Sequence, residues 1–232
     1  MSDRPILFSG AMVRALLDGT KTQTRRAIKP QPAPCNHSDW PQGPADATWT
    51  PRDGWHCSTC GNGIRGERHG YTGFPCPYGQ PGDRLWVRET WRTDSSLDDR
   101  SPRSFTSWPV RYPADGHVGR CGSLCGNTDG KRRPSMFMPR WASRITLDVT
   151  AVRIERLQDI SEADAIAEGC KALDHVQWRT FVEADAGEPY RQHTARDAYS
   201  ALWEHINGIG SWDLNPWVWV VEFKRIEGEA HV

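Results

Sequence analysis

The amino-acid sequence predicts one α+β domain, because short strand-like segments and amphipathic helical segments follow one another along the whole chain. Residues 6–8, 83–89, 143–153 and 217–226 are rich in aliphatic and aromatic side chains and have the pattern of strands. The chain has 232 residues, enough for one sizeable core, and its length gives no reason to expect a second. We therefore expect a single domain over residues 1–232.

Three helices are predicted from their end signals and their apolar spacing. The first follows residues 6–8 and ends at Gly19, a residue that suits a helix C-terminus. The second covers residues 161–169 and opens with Ser-Glu-Ala-Asp, a capping-box pattern. The third runs over residues 194–208, where apolar side chains recur at helical spacing. Together with the strands, these helices complete the predicted α+β pattern.

Two long stretches interrupt this pattern. Residues 30–81 are rich in Pro, Gly, Trp and Cys and show no helical or strand period. Residues 92–140 are polar and turn-rich, with a basic patch at Lys131-Arg132-Arg133. Structureless segments of this length are uncommon inside a compact domain, so we interpret both as insertions and expect the first to need an internal cross-link.

A structural zinc ion is the predicted cross-link of the first insertion. Cys57 and Cys60 have the two-residue gap that lets two sulfur atoms reach one tetrahedral ion. The predicted ligands are Cys35, Cys57, Cys60 and Cys76. Four thiolates leave no open position for water, so this zinc would be structural and not catalytic. The alternatives are a loop of free thiols, a histidine ligand (His37 or His56) and a rival cysteine pair (Cys121 and Cys125).

The composition limits the classes of function. Lys and Arg total 29, as do Asp and Glu, so the whole molecule has no net field that would attract a phosphate backbone, and any nucleic-acid site must be local. No apolar run approaches the roughly 20 residues of a membrane span. The N-terminus lacks the pattern of a signal peptide, so we expect a cytoplasmic protein with no membrane partner and with its seven cysteines reduced.

The segment 19–26 reads Gly-Thr-Lys-Thr-Gln-Thr-Arg-Arg and follows the first helix directly. In an extended chain, Thr24 and Arg26 share one face, while Lys21 and Arg25 take the other unless a bend brings them together. On propensity alone, such a segment is a solvated basic loop. A second interpretation arises when it is combined with other parts of the chain.

Four blocks in chain order, spread from end to end of the chain, resemble the ASCH family. They are the segment 19–26, a Gly-Asp-x-Leu-x-Val pattern at 82–87, the Ile-Ser-Glu that leads to Glu-Gly over 160–169, and Val-Val-Glu-Phe at 220–223. An ordered set of motifs is more specific than any single one. The phrases around residues 82–90 and 139–144 resemble the larger ASCH-like proteins of bacteriophages and prophages.

This resemblance implies a PUA-like β-barrel with flanking helices and a cleft suited to RNA or to a modified base. One small bacterial branch of the family is an amidohydrolase that removes the acetyl group from N-acetylcytidine with a lysine, a threonine and a glutamate. By motif, these residues fall on Lys21, Thr24 and Glu168. The implied partner is a modified nucleoside or nucleobase, free or within RNA or DNA.

The chemistry of amide hydrolysis requires these residue types. Thr24 would attack the acyl carbon, and Lys21 would accept its proton, because a lysine desolvated in an apolar cleft has a lowered pKa. Glu168 would orient Lys21 or shuttle the proton to the departing amine. In the alternative interpretation, Lys21 and Glu168 form an ion pair that only ties the sheet to a helix.

Three further residues are candidate substrate contacts. Arg26 would meet a phosphate, a ribose or the acyl oxygen. Trp86 would stack on a base, although packing explains an aromatic residue equally well. Glu89 would bind an exocyclic amine or instead pair with Arg88 or Arg92 at the surface.

Two non-enzymatic functions stay open at this point. In the first, the cleft, Arg25, Arg26 and the patch at 131–133 hold RNA or modified DNA without chemistry. In the second, the protein is a phage accessory factor that binds a host protein through its insertions. Turnover of acylated nucleosides separates the enzyme from both.

Overall fold

The computed structural model describes residues 2–29, 31, 76–105, 108–119, 129–172 and 193–226, together with the backbone of short strands at 47–50, 54–57 and 178–179. These residues form a mixed α+β structure around one central sheet. The predicted fold class is therefore confirmed at this level.

Five strands form the central sheet. They are β1 (Asp3–Leu7), β2 (Gln23–Ala27), β5 (Arg84–Arg88), β8 (Thr146–Arg156) and β11 (Trp217–Arg225). Their order across the sheet is β1, β5, β8, β11, β2. β1 is parallel to β5, and the other pairings are antiparallel. The β-branched and aromatic run of β11 lies inside the sheet, as its sequence predicts.

The described strands form an open sheet whose edges are β1 and β2, so a closed barrel is not confirmed. The two edges approach each other at one point, because Arg26 of β2 donates a hydrogen bond of 2.6 Å to the carbonyl oxygen of Leu7 at the end of β1. Sheets twist with a fixed hand, and the twist lets distant edges curl together. A side chain, and not a ladder of backbone hydrogen bonds, joins the edges here.

The three predicted helices are present as α1 (Gly10–Leu17), α2 (Glu162–Ala167) and α3 (Ala195–Asn207). A hydroxyl side chain caps each N-terminus and accepts a backbone hydrogen bond; the caps are Ser9, Ser161 and Thr194. A glycine with positive φ follows each C-terminus: Gly19 (72°), Gly169 (105°) and Gly208 (99°). The glycines noted in the sequence therefore end the helices.

The two faces of the sheet pack against different helices. Alternate side chains of β11 separate the cores, since Trp219 and Val221 pack with α1 and Val218 and Val220 pack with α3. α2 is short and lies against α3 and β2. This arrangement brings the end of α2, the edge strand β2 and one side of α3 together.

The insertions contain more structure than their sequences predict. In the first, β3 (Ala47–Thr50) and β4 (Gly54–Cys57) pair antiparallel, so the expectation that 30–81 lacks strands is wrong for this part. Four-residue strands are too short to show a clear period of two. Residues 32–46, 51–53 and 58–75 of this insertion lie outside the described residues.

The second insertion is loop-rich, as predicted, but it has a core of its own. Trp91, Val110, Tyr112, Met138 and Ala142 are buried together. The short strands β6 (Val110–Arg111) and β7 (Val118–Gly119) pair beside this core. A further short pair, β9 (Lys171–Ala172) and β10 (Trp178–Arg179), follows α2.

Candidate functional site

Lys21 and Glu168 form a buried ion pair at the end of α2. Lys21 Nζ lies 2.6 Å from Glu168 Oε2 and 3.0 Å from the Glu168 carbonyl oxygen. The residues are 2% and 3% exposed, although 147 positions separate them in the chain. The backbone fixes this approach, because the Thr22 N–H donates to the Ala167 carbonyl oxygen at 2.9 Å. The structure thus brings two of the three predicted catalytic residues into contact.

Burial gives Lys21 the property that a base requires. Desolvation lowers the pKa of Lys21 below the ordinary lysine value, and the attraction of Glu168 opposes this shift without cancelling it. A larger fraction of neutral amine is therefore present near neutral pH than for a surface lysine. The two hydrogen bonds to Glu168 hold the amine in one position.

Arg25 connects this pair to further carboxylates. Its Nη2 lies 2.9 Å from Glu155 Oε2 and 3.1 Å from Asp164 Oδ2, and its Nη1 lies 3.7 Å from Glu168 Oε1. Arg153 contacts Glu155 and Asp164 from the other side. Burial raises the pKa of Asp164, but the charges of Arg25 and Arg153 outweigh it and hold that pKa below its usual value. These charges form one network around Glu168.

A cleft of about 60 Å³ opens at this place, along the edge strand β2. Its walls come from Met12 of α1, residues 24–27 of β2, Glu168 and one side of α3. The lining residues of α3 are Tyr199, Leu202, Trp203, Ile206 and Asn207. Thr24 and Glu168, both predicted from the sequence, therefore line one common cleft. Lys21 is not a lining residue, but it contacts Glu168.

Four buried polar atoms on residues of the cleft have no hydrogen-bond partner among the described residues. One is an acceptor, Glu168 Oε1, and three are donors: Arg25 Nε, Arg26 Nε and the indole Nε1 of Trp203. Most buried polar side-chain atoms are paired, because an unpaired one costs about 1–3 kcal/mol. The residues of the cleft wall thus carry one acceptor and three donors without a hydrogen-bond partner, and Trp203 supplies the one uncharged donor among them.

Thr24 is buried in the cleft wall, and its hydroxyl has no hydrogen-bond partner among the described residues. Thr20, by contrast, donates its hydroxyl to the Ala15 carbonyl oxygen at 3.2 Å. Nothing on the described protein competes with a substrate for the Thr24 oxygen.

The backbone of β2 adds donors and acceptors to the cleft. The Ile28 N–H donates to the Trp217 carbonyl oxygen at 3.0 Å, so the even-numbered residues of β2 direct their N–H and C=O groups toward β11. The backbone groups of Arg25 and Ala27 consequently point to the open edge. Both residues line the cleft, where a ligand can reach these groups.

Arg26 also lines the cleft, and its guanidinium is held in place. It bonds to the Leu7 carbonyl oxygen, and its Cζ lies 5.4 Å from the centroid of the Phe8 ring. The structure places this predicted contact at the rim, beside the point where the sheet edges meet.

The other two predicted contacts lie elsewhere. Glu89 is buried in a two-pronged pair with Arg144, with distances of 2.8 Å from Nε to Oε1 and 3.0 Å from Nη2 to Oε2. Trp86 is buried on β5, with the guanidinium of Arg88 at 4.6 Å and that of Arg140 at 5.8 Å from its ring. Neither residue lines the cleft. The partner of Glu89 is Arg144 and not the neighbouring arginines that the sequence suggested.

The predicted zinc site falls largely outside the described residues. Cys35 and Cys60 lie outside them, and Cys57 is described only as a backbone position at the end of β4. Cys76 is buried in the core beside α1, and this burial raises the pKa of its thiol to about 11. Zinc would have to displace that proton to bind. No group of three or more metal-binding side chains occurs in the described part of the chain, and the zinc site stays a prediction.

Sequence reasoning missed three residues of the cleft: Arg25 as a charge partner of Glu168, and Tyr199 and Trp203 of α3. Tyr199 and Trp203 are four positions apart, a spacing that predicts one helix face but does not tell whether that face meets a core or a cleft. Burial raises the pKa of Tyr199 far above the ordinary tyrosine value, and the nearby Glu168 carboxylate adds to the shift. Tyr199 therefore stays neutral in the wall of the cleft.

Comparison with known proteins identifies no relative of this chain. Neither family models nor searches of curated proteins and solved structures give a match to the chain. Within the described residues, no helix has both the length and the apolar character needed to cross a membrane.

Proposed function

We propose that the protein is an ASCH-type amidohydrolase that removes an acyl group from a modified nucleobase or nucleoside, with N-acylcytidine as the type of substrate. One observation carries the proposal: a cleft beside the buried Lys21–Glu168 pair presents an unmatched acceptor on Glu168 and an unmatched donor on Trp203. An amide group has the complementary pair, an N–H donor and a carbonyl acceptor.

The fold proposal that accompanies it is a PUA-like barrel. The bond between Arg26 and the Leu7 carbonyl supports it, because a curled sheet whose edges meet needs little further closure. The order of the four sequence blocks supports the same family.

The size of the cleft indicates which part of the substrate enters. A water molecule requires about 10–15 Å³ of such space, so the cleft, at about 60 Å³, holds a group of roughly four to six heavy atoms. That is the size of an acetamide and not of a nucleoside. The acyl group would occupy the cleft, while the base and ribose would lie at its mouth, near Met12 and Ile206.

In the first chemical step, the Thr24 oxygen forms a bond to the acyl carbon, and its proton moves to the neutral amine of Lys21. The Trp203 N–H and the outward N–H groups of β2 stabilise the negative charge that develops on the acyl oxygen. The bond from the acyl carbon to the base nitrogen then breaks. The proton passes from Lys21 through Glu168 to this nitrogen, which leaves as a neutral amine.

In the second step, water attacks the threonine ester and restores the hydroxyl. One water is consumed, and one carboxylic acid and one amine are formed.

A binding module without chemistry is the second candidate. It is favoured by the two hydrogen bonds of Lys21 Nζ that end on the same residue, Glu168, as in an ion pair that only joins β2 to α2. In that case the unmatched atoms of the cleft would bind an amide or a base edge without cleaving it.

Turnover of acylated cytidines and adenines by purified protein tests the proposal, with release of the amine as the measurement. Thr24→Val should lower kcat by on the order of 10³-fold or more, because it removes the nucleophile. Its stability should stay close to that of the wild type, because the lost hydroxyl bonds to none of the described residues. The matched control is Thr22→Val on the same segment, where the side chain is exposed and outside the cleft.

The control variant should keep full activity. Absence of turnover by the wild type across the panel would reject the enzyme in favour of the binding module. Full activity of Thr24→Val would show that Thr24 is not the nucleophile.

A further inference from the structure

A second cluster of charged side chains lies on the outer face of β1 and β5, apart from the cleft. The guanidiniums of Arg88 and Arg140 flank the ring of Trp86. Arg88 Nε and Arg140 Nη1 are buried donors without a hydrogen-bond partner among the described residues. Arg140 uses its Nε for Asp3, at 2.8 Å, and Arg88 uses its Nη1 for the Met136 carbonyl oxygen, at 3.3 Å. Each guanidinium thus keeps donor capacity that this protein does not use.

Arg103 joins this cluster from the second insertion. Burial lowers the pKa of Arg88, and the charge of Arg103 adds to this shift. In the described part of the chain, neither has a carboxylate within ion-pair distance. A phosphate between two unpaired guanidiniums relieves their repulsion and accepts several hydrogen bonds.

Exposed apolar side chains border these arginines. Met136 and Phe137 are 59% and 57% exposed and lie in the short turn Ser135–Phe137, whose Met136 carbonyl oxygen accepts the hydrogen bond from Arg88. Leu7, 44% exposed, lies on the neighbouring edge strand. Exposed aromatic rings beside arginines favour unstacked bases, which lie flat on a ring while the phosphates meet the cations.

This cluster begins one strand away from the cleft. Leu7 pairs with Arg88 in the register of β1 and β5, and neighbouring strands are about 4.8 Å apart. The Leu7 carbonyl oxygen also accepts the hydrogen bond from Arg26 at the rim of the cleft. A chain that leaves the cleft over Leu7 therefore reaches Arg88 directly.

We infer that the arginine surface, defined as Arg88, Arg103, Arg140, Met136 and Phe137, binds the backbone and bases of a single-stranded polynucleotide. Phosphates contact the guanidiniums and a base stacks on Phe137. In its link to the cleft this inference rests on the proposed function: the acylated nucleotide is presented within a strand and not as a free nucleoside. A duplex fits less well, because its bases are stacked inside and cannot use the exposed ring.

Binding of a short fluorescent oligouridylate, measured by anisotropy between about 50 and about 200 mM salt, tests the inference. Arg88→Gln/Arg103→Gln should weaken binding at least tenfold at the low salt end and should reduce the slope of log K against log salt by about 1.4, since each single-strand phosphate contact contributes about 0.7. The matched control, Lys224→Gln/Arg225→Gln, removes the same charge from β11, two strands away from β5, and should bind like the wild type.

Two single variants keep the test valid if the buried Arg88 is needed for folding. Arg103 and Phe137 are exposed, so Arg103→Gln and Phe137→Ala should fold normally. Arg103→Gln should lower the salt slope by about 0.7. Phe137→Ala should weaken binding by about five- to 150-fold and leave the slope unchanged.

Equal binding by the control and the arginine variants would overturn the inference, and so would tighter binding of duplex than of single strand. The same experiments distinguish failure of this inference from failure of the proposed function. Turnover of free acylcytidine, without RNA binding that depends on the arginine surface, would support the proposed hydrolase and contradict the proposed binding surface. Oligonucleotide binding that depends on the arginine surface, without any turnover, would support the surface and reject the hydrolase.

Discussion

The cleft and the arginine surface use the same kind of charge in opposite ways. Arg25 is buried and lies near three carboxylates, whereas Arg103 is exposed and has no carboxylate partner among the described residues. Coulomb interactions are strong in a dry interior and are weakened by water and salt at a surface. We therefore expect charges of the cleft to affect mainly stability and proton affinity, and charges of the surface to affect mainly the proposed association with an anionic partner.

The two regions lie at opposite edges of the five-stranded sheet. β2 supplies the wall of the cleft, and β1 borders the arginine surface beside β5. Arg26 is the physical link, because it belongs to the cleft and bonds to β1. Variants within each region should show whether this division of roles holds.

The largest effect is expected for Lys21→Met. It removes the cation 2.6 Å from the buried Glu168 and leaves only Arg25 Nη1, at 3.7 Å, which should lower the free energy of unfolding by about 3 kcal/mol at pH 7. Because a buried carboxylate takes up a proton more readily when it has less positive charge beside it, the deficit should shrink as the pH falls. Urea unfolding at several pH values measures both.

The double variant Lys21→Met/Glu168→Gln provides the control. Removal of both charges should restore much of the lost stability, although not the activity. A Lys21→Met protein as stable as the wild type would show that the cleft is wetter than its burial implies.

Trp203→Phe should have the next largest effect. It should lower kcat and leave the free energy of unfolding nearly unchanged. Loss of one donor to a developing oxyanion lowers kcat by about 10²–10³-fold. The indole N–H bonds to no described residue, so its removal sacrifices no hydrogen bond of the folded protein. Trp212→Phe is the matched control, because Trp212 packs on Tyr199 from outside the cleft. Equal kcat for both variants would show that Trp203 does not contact the acyl oxygen.

The central sheet and the three helices could be predicted because their signals are local. The aliphatic alternation of β8 and the glycines after each helix predict structure from a few neighbouring residues. Strands β3 and β4 could not be predicted, because four residues carry too little periodicity. The small core around Trp91 was also hidden, since its members lie far apart in the sequence.

The residues of the candidate site likewise fall into those that local motifs predict and those that depend on tertiary packing. Lys21, Thr24 and Glu168 were found through their motifs, which carry the resemblance to ASCH proteins. Trp203 belongs to the site only because α3 lies beside the edge of β2, a tertiary relation that no local pattern encodes. Glu89 was placed in the site by residue type alone, and a more distant arginine, Arg144, proved to be its partner.

A smaller effect is expected from the outer carboxylate of the network. Asp164→Asn should destabilise the protein most near neutral pH, because Arg25 and Arg153 hold the pKa of Asp164 below its unfolded value. A lowered carboxyl pKa contributes stability above the unfolded pKa, near 3.9, and loses it as the pH falls through the folded pKa. The difference in unfolding free energy between variant and wild type should therefore vanish in acid. A difference that is constant with pH would mean that the contribution of Asp164 is steric.

The smallest effect is expected for Arg103→Gln, measured as stability and not as binding. An exposed arginine without a carboxylate partner in the described structure should change the free energy of unfolding by no more than about 0.5 kcal/mol. Because Arg103 repels Arg88, the sign should be stabilising at low salt, and the gain should disappear near physiological salt, where the screening length is about 8 Å. A clear loss of stability instead would mean that Arg103 holds the second insertion together. In that case its unpaired charge would no longer distinguish the arginine surface from the cleft.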